Sequence, residues 1–313
     1  MHHIFRTISL LIFSQSVYGW GFFAHQRINR LAVFTLPPDM LVLYKPNLEY
    51  LTTHATDADK RRYIIAEEGP RHYIDIDHYG RPPFPELPRS WQEAVIRYTA
   101  DTLNRYGILP WYIGQMVLRL TKAFRDGDAD KIMKLSADIG HYVGDAHVPL
   151  HACSNHNGQL TGQEGIHGLW ESRIPELMAD KSFRYWAGKA HYIKDISTST
   201  WQIVLESAMA ADTVLRQEKI LSDAYPSGRK FAHERRNGKL VRNYATTYVE
   251  NYHSVLGGMV ERRMRAAISA TASYWYTAWV NAGMPVLNRL KAGRITDPPV
   301  QPATAPMIGR QEE

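Results

Sequence analysis

The chain has 313 residues, 44% of them hydrophobic, with 37 Lys and Arg against 31 Asp and Glu for a formal net charge of +6. That is long and apolar enough to bury a sizeable core, as one large domain or two small ones. The mild basic excess lacks the dense runs of a dedicated nucleic-acid binder, and a lone Cys153 excludes an intramolecular disulfide framework.

At the N-terminus, Arg6 precedes an apolar stretch from Ile8 to Phe13, followed by small Val17 and Gly19 at the positions a signal peptidase prefers. This predicts a signal peptide over 1–19, cleavage after Gly19, Trp20 as the first mature residue, and export to the periplasm or the extracellular space. The apolar run is too short to span a bilayer and no later run approaches spanning length, so no transmembrane segment is expected in the mature chain. Without disulfides, stability must come from the core or from metal.

From Trp20, apolar Ile28, Leu31, Ala32 and Phe34 at helical spacing predict a helix stopped by Pro37 and Pro38. A second amphipathic segment covers Met40 to about His54, interrupted at Pro46. The polar stretch THATDADKRR leads to RHYIDIDHYGRPPFPELP, whose prolines and glycine predict an irregular loop. Ser90-Trp-Gln-Glu93 has the form of a capping box opening a helix to about Tyr106. Helices are then expected over Trp111–Phe124 and from Ala129, capped by Asp128, to about His147. After Gly165, a short helix through Trp170 to about Ile174 should stop at Pro175, followed by helices over Thr200–Leu221 and Thr246–Asn281. Residues 223–245 look like a long basic loop or a short excursion. The tail, 291–313, is rich in Pro, Gly and Gln without periodicity and is expected to be disordered. With strand signals nearly absent and no repeat or linker, the expectation is one all-α domain over 20–290.

The densest chemistry lies between His141 and Glu171, which hold five of the fourteen histidines. His141 and Asp145 are four apart, as are His167 and Glu171, so each pair shares a helix face with Cβ atoms about 5–6 Å apart. His141 and Asp145 sit among Ile132, Leu135, Ile139, Tyr142 and Val143, so both should point inward, where an unpaired carboxylate is costly and a cation compensates. An isolated pair would read better as a hydrogen bond closing a core network; His151, His167 and Glu171 shift the balance towards metal. Pro149 should end the helix and turn the chain before His151, allowing His151, His167 and Glu171 to form an open three-ligand zinc site. Upstream, His72 and Asp57 supply further donors, each weak alone. If Trp20 is the mature terminus, its α-amine and carbonyl can chelate a metal with His25 completing the site.

The pattern Trp20-x4-His25, Asp57, His72-Tyr-Ile-Asp75, His141-x3-Asp145-x5-His151 and His167-x3-Glu171 resembles the superfamily of trinuclear zinc phosphoesterases. That superfamily contains the fungal single-strand-specific nucleases (3′-nucleotidase/nuclease) and the bacterial zinc-dependent phospholipases C. HYVGDAHVPLH carries the greatest similarity. The resemblance spans about 150 residues and implies a compact multi-helix fold holding three Zn2+ ions.

Carried over, it implies that Asp57, His72, His141 and Asp145 hold one zinc, that His151, His167 and Glu171 hold a second, and that the Trp20 terminus and His25 hold a third bridged by Asp145. Asp75 matches a carboxylate near the attacking water, and Tyr73 an aromatic that stacks on a base. His147 matches no ligand and is read as structural. The nucleases carry an arginine three residues after the Asp57 position; here that is Lys60, with Arg61 next, as candidates for stabilising charge on phosphate. The short Trp20–His25 and Asp57–His72 spacings look like the nucleases. Glu171, the short loop before His167 and the lack of paired cysteines look more like the phospholipases.

The implied activity is hydrolysis of phosphate esters by a metal-activated water. The first expectation is an endonuclease/3′-nucleotidase acting on single-stranded DNA and RNA, with bases stacking on Tyr73. The alternative is a phospholipase C acting on phospholipid head groups. A non-enzymatic alternative is a secreted, zinc-stabilised binding module, against which the open three-ligand sites argue. A monomer is expected.

Overall fold

A computed structural model of the chain describes residues 21–236 and 238–290. The expected signal peptide, Trp20 and the tail over 291–313 lie outside the described residues. Helices dominate. They run in the order α1 (Phe22–Val33), α2 (Pro38–Tyr44), α3 (Leu48–Thr53), α4 (Asp57–Arg61), α5 (Trp91–Tyr98), α6 (Ala100–Tyr106), α7 (Leu109–Asp126), α8 (Ala129–Ala146), α9 (Ile166–Gly168), α10 (Ile174–Ser182) and α11 (Ile196–Ala224). A hairpin of β1 (Phe231–Arg236) and β2 (Lys239–Tyr244) follows, then α12 (Thr246–Val255) and α13 (Met259–Asn281).

Helix α8 is the axis of the core. From Ser136 to Ala146 every residue is buried, as expected of a helix surrounded by others, and α1, α7, α11 and α13 pack around it. Asp128 caps it, accepting from the Lys131 backbone N–H at 3.0 Å. At its other end Ser207 donates to the Ala146 carbonyl at 2.5 Å and Arg263 to the His147 carbonyl at 2.8 Å. Two glycines fix how closely α1 approaches. A Cβ at Gly140 would fall 1.8 Å from Asn29 Oδ1, and one at Gly144 would fall 3.0 Å from His25 Nδ1. Their absent side chains admit Asn29, whose amide donates to the Ala137 carbonyl at 3.1 Å, and His25, whose ring stacks on His141 at 3.9 Å.

Several boundaries differ from those expected. Pro38 opens α2 instead of ending the preceding helix, because proline at the first helical position has no N–H to lose. The segment opened by Ser90 breaks at Thr99, which has φ of 67° and caps α6; Ser90 makes no side-chain capping bond. Pro175 likewise lies in the first turn of α10 and stops nothing. The long C-terminal segment breaks at Gly257 and Gly258, both at positive φ.

The largest correction is at 223–245, where the expected loop is an antiparallel hairpin pairing Phe231 with Tyr244 through Arg236 with Lys239. The Asn237-Gly238 dipeptide is a strong two-residue hairpin signal, obscured by charges that hide the alternation. It is the one sheet among the described residues. No described helix is long and apolar enough to cross a membrane.

Candidate metal centre

Three groups of buried donors, each with ligand atoms within 4.8 Å of one another, lie among the described residues: Asp59, His72 and His141; His25, His141 and Asp145; and His151, His167 and Glu171. They are delivered by α1, α4, the 3-10 turn over Gly69–His72, α8, the turn over Pro149–Ala152, and the stretch from α9 through a π-turn at Leu169–Arg173. Asp145 is shared. Its Oδ2 lies 3.0 Å from His72 Nδ1 and 3.2 Å from His141 Nε2, while Oδ1 lies 3.3 Å from His25 Nε2 and 4.0 Å from His151 Nε2. In the third group Glu171 Oε2 is 2.9 Å from His167 Nε2 and 3.4 Å from His151 Nε2.

The ring orientations are set from outside. His141 Nδ1–H donates to the Ala55 carbonyl at 2.9 Å, and His151 Nδ1–H to the His72 carbonyl at 2.6 Å. Each therefore turns an Nε2 lone pair towards carboxylates, an arrangement that repels unless a cation stands between. Consistent with this, both oxygens of Asp59 and of Glu171, Asp145 Oδ1 and His167 Nε2 are buried without a hydrogen-bond partner. Such a cluster is costly in a dry interior, and mixed N/O donors suit zinc. With protons as the only cations, burial opposes charge on His141, but the carboxylates of Asp145 and Asp59 overcome it and hold that imidazole well above its ordinary range. Burial likewise would raise Asp145, but His141 and His151 keep it well below. Burial and the neighbouring His141 lower His25.

His72 is backed by a buried polar network. Its Nε2 lies 3.7 Å from Glu68 Oε1, an electrostatic contact longer than a hydrogen bond. Glu68 accepts from Arg71 at 2.5 Å and from the Tyr142 hydroxyl, while Arg61 reaches Asp138 at 2.9 Å and Tyr142 at 3.2 Å. Burial opposes ionisation of Glu68, yet His72 and the two arginines hold its carboxyl well below the usual range.

Several sequence expectations move. Asp57 is in none of the three groups; its carboxylate bonds His54 at 2.5 Å and Lys60 at 2.7 Å. Asp59 takes the place expected of it. Two residues on a helix point about 200° apart, so an inward Asp59 requires an Asp57 turned away. Lys60 is engaged by Asp57 and Arg61 by Asp138 and Glu68, so neither is directed by its contacts into the donor groups. Counted from Asp59, the three-residue offset to an arginine lands on Arg62, a signal that could have selected Asp59 from sequence. Tyr73 is fully buried with its hydroxyl donating to the Arg105 carbonyl at 3.0 Å, so it offers no face to a base. Asp75 is also outside the groups; burial and then its charge raise the neighbouring Tyr79 hydroxyl. His147 bonds the Val143 carbonyl at 2.7 Å, and burial with Arg263 lowers its pKa to about 3, so it stays neutral. Glu68 was not anticipated, since a glutamate four residues before a histidine carries no distinctive mark.

No family model matches the chain, and no curated protein matches it. Among solved structures it is similar to the alpha-toxin of Clostridium perfringens isolated from avian strain SWCP, at a TM-score of 0.50 and 11% identity. The match covers 83% of this chain and 64% of that one, so somewhat less than two thirds of the toxin is represented. At that identity the likeness carries the fold, a mostly helical one.

Proposed function

We propose that this chain is an exported zinc-dependent hydrolase of phosphate esters, and that its substrate is a phospholipid head group in preference to single-stranded nucleic acid. The observation that carries the reading is the convergence of unpartnered, buried imidazole nitrogens and carboxylate oxygens around Asp145. Zinc bound there would supply Lewis acidity towards the phosphoryl oxygens and a water of lowered pKa.

The residues have distinct parts in the proposal. Asp145 spans the groups through its two oxygens. Asp59, His72 and His141 would form one ligand set, His151, His167 and Glu171 another, and His25 with Asp145 a third. Glu68 holds His72 in register, and Arg62 balances charge on the phosphate with a planar fork that Lys60 would lack. Asp75 would orient the water that such a centre activates.

Two observations favour lipid. The burial of Tyr73 removes the stacking platform expected of a nuclease. Glu171 and the short loop before His167 resemble the bacterial zinc-dependent phospholipases C, in a fold similar to that of the alpha-toxin. Incubating the metal-loaded protein with phosphatidylcholine, single-stranded DNA and RNA tests the choice: release of phosphocholine is expected. Cleavage of the strands with phosphatidylcholine left intact would restore the nuclease. N-terminal sequencing of the exported protein should begin at Trp20.

A further inference from the structure

The segment Arg229–Arg242, the hairpin and the two residues leading into it, carries six Lys or Arg and one Glu, a net charge of +5 in a chain whose net charge is +6. Its pairing decides which of those charges face outward. In an antiparallel ladder paired residues share a face and neighbours alternate. Ala232, Glu234, Arg236, Lys239, Val241 and Asn243 therefore form one side; Phe231, His233, Arg235, Leu240, Arg242 and Tyr244 form the other.

The first side is turned to the body of the protein. Glu234 receives both terminal nitrogens of Arg173, at 3.2 and 2.7 Å, and Arg236 pairs with Glu176 at 2.6 Å. The second is anchored only at its base, where Tyr244 is buried and stacks with Tyr248. Lys230, just before β1, reaches buried Glu218 at 2.8 Å, and Glu218 also accepts from Gln163 at 2.5 Å. The hairpin is thus braced against both the loop before His167 and the turn after Glu171.

What remains outward is His233, Arg235, Leu240 and Arg242, all exposed; Lys239 belongs to the other side but stands exposed at the hairpin's end, next to the turn. Leu240 stands 67% exposed at the tip, directly across from Arg235. Among the described residues, Arg235 and Lys239 have no ion-pair partner, and Arg242 lies over the Phe231 ring at 3.6 Å.

We propose that this outward face, with the hairpin's end, is a docking surface for an anionic lipid bilayer, Leu240 entering the interface, Arg235 and Arg242 on the face and Lys239 at the end meeting lipid phosphates. An exposed leucine flanked by cations gains free energy on an amphipathic interface and gains little on a polyanion in water. The face offers no exposed Trp, Tyr or Phe: Phe231 is part-buried under Arg242 and His233 is its one exposed ring, a sparse platform for stacked bases that disfavours a nucleic-acid strand. The hairpin's braces would hold the candidate centre beside the bilayer. The inference deepens the phospholipid reading and rests on it for its purpose, although not for its test.

The test is sedimentation of the full exported chain with vesicles of phosphatidylcholine alone or mixed with phosphatidylglycerol, alongside hydrolysis of a soluble chromogenic phosphocholine ester. Wild type should bind the mixed vesicles, weaken with salt, and bind neutral ones poorly. Arg235→Gln with Lys239→Gln should weaken binding roughly 30-fold, and Leu240→Ala about tenfold. Turnover of the soluble ester should be unchanged in both. Equal vesicle binding by wild type and variants, or none by wild type, overturns the proposal. So does loss of single-stranded DNA binding in the variants without loss of vesicle binding. If vesicle binding behaves as expected while wild type cleaves no phosphate ester, the docking surface stands and the hydrolase reading fails.

Discussion

The buried centre and the exposed hairpin are both dense in charge, and they treat it in opposite ways. At the centre, Asp59, Asp145 and Glu171 are at most 1% exposed and each faces imidazoles within about a hydrogen-bond length or a little more. Coulomb energies there are large, so every charge requires a near partner and removal of one is felt throughout. In the hairpin the cations stand in water, where screening makes an unpaired arginine tolerable. A single net charge for the chain averages a self-balancing interior with a surface held in reserve.

Asp145→Asn should break the contrast most severely. Because one carboxylate faces two donor groups, metal analysis should find both depleted and phosphoester hydrolysis more than about 100-fold lower; retention of metal and activity would remove Asp145 from the centre. The pair Asp59→Asn and Asp57→Asn comes next. The first should lose at least one metal equivalent and most activity. The second, confined to contacts with His54 and Lys60, should stay within a few-fold of wild type, and the opposite outcome would reinstate Asp57.

Glu68→Gln sharpens the role of the network behind His72, with an expected loss of about 10–100-fold in metal affinity, measured by competition with a chelating dye. Chelation of the intact protein should lower its thermal midpoint, by an amount corresponding to about 4 kcal/mol if free metal had exceeded its Kd a thousandfold. An unchanged midpoint would mean that the centre is stable with protons alone. At the small end, Arg235→Gln with Lys239→Gln should shift stability by no more than about 0.5 kcal/mol in urea unfolding, since those side chains touch no core.

The helical fold was legible because it rests on local periodicity. α7 and α8 were anticipated to within a few residues, as was the Asp128 cap. The i,i+4 pairs His141/Asp145 and His167/Glu171 were legible for the same reason, since helix geometry alone brings them together. Errors arose where a local sign was overridden or ambiguous: Pro38 and Pro175 begin helices, and charges on 231–244 masked an Asn-Gly hairpin.

Other features required the tertiary structure. Asp57 and Asp59 are the same residue type two positions apart, and only the rotation of α4 against α8 turns one inward. Tyr73 looks like a surface aromatic until its hydroxyl is found on the Arg105 carbonyl. Gly140 and Gly144 become meaningful only once α1 lies against them, bringing His25 onto His141. By itself the sequence determined which residue types could bind a cation and which lay one helical turn apart, because those depend on chemistry and local backbone geometry. Which donors face one another, and which charges are left to water, was decided by packing between segments distant in sequence, since burial and convergence are properties of the folded interior.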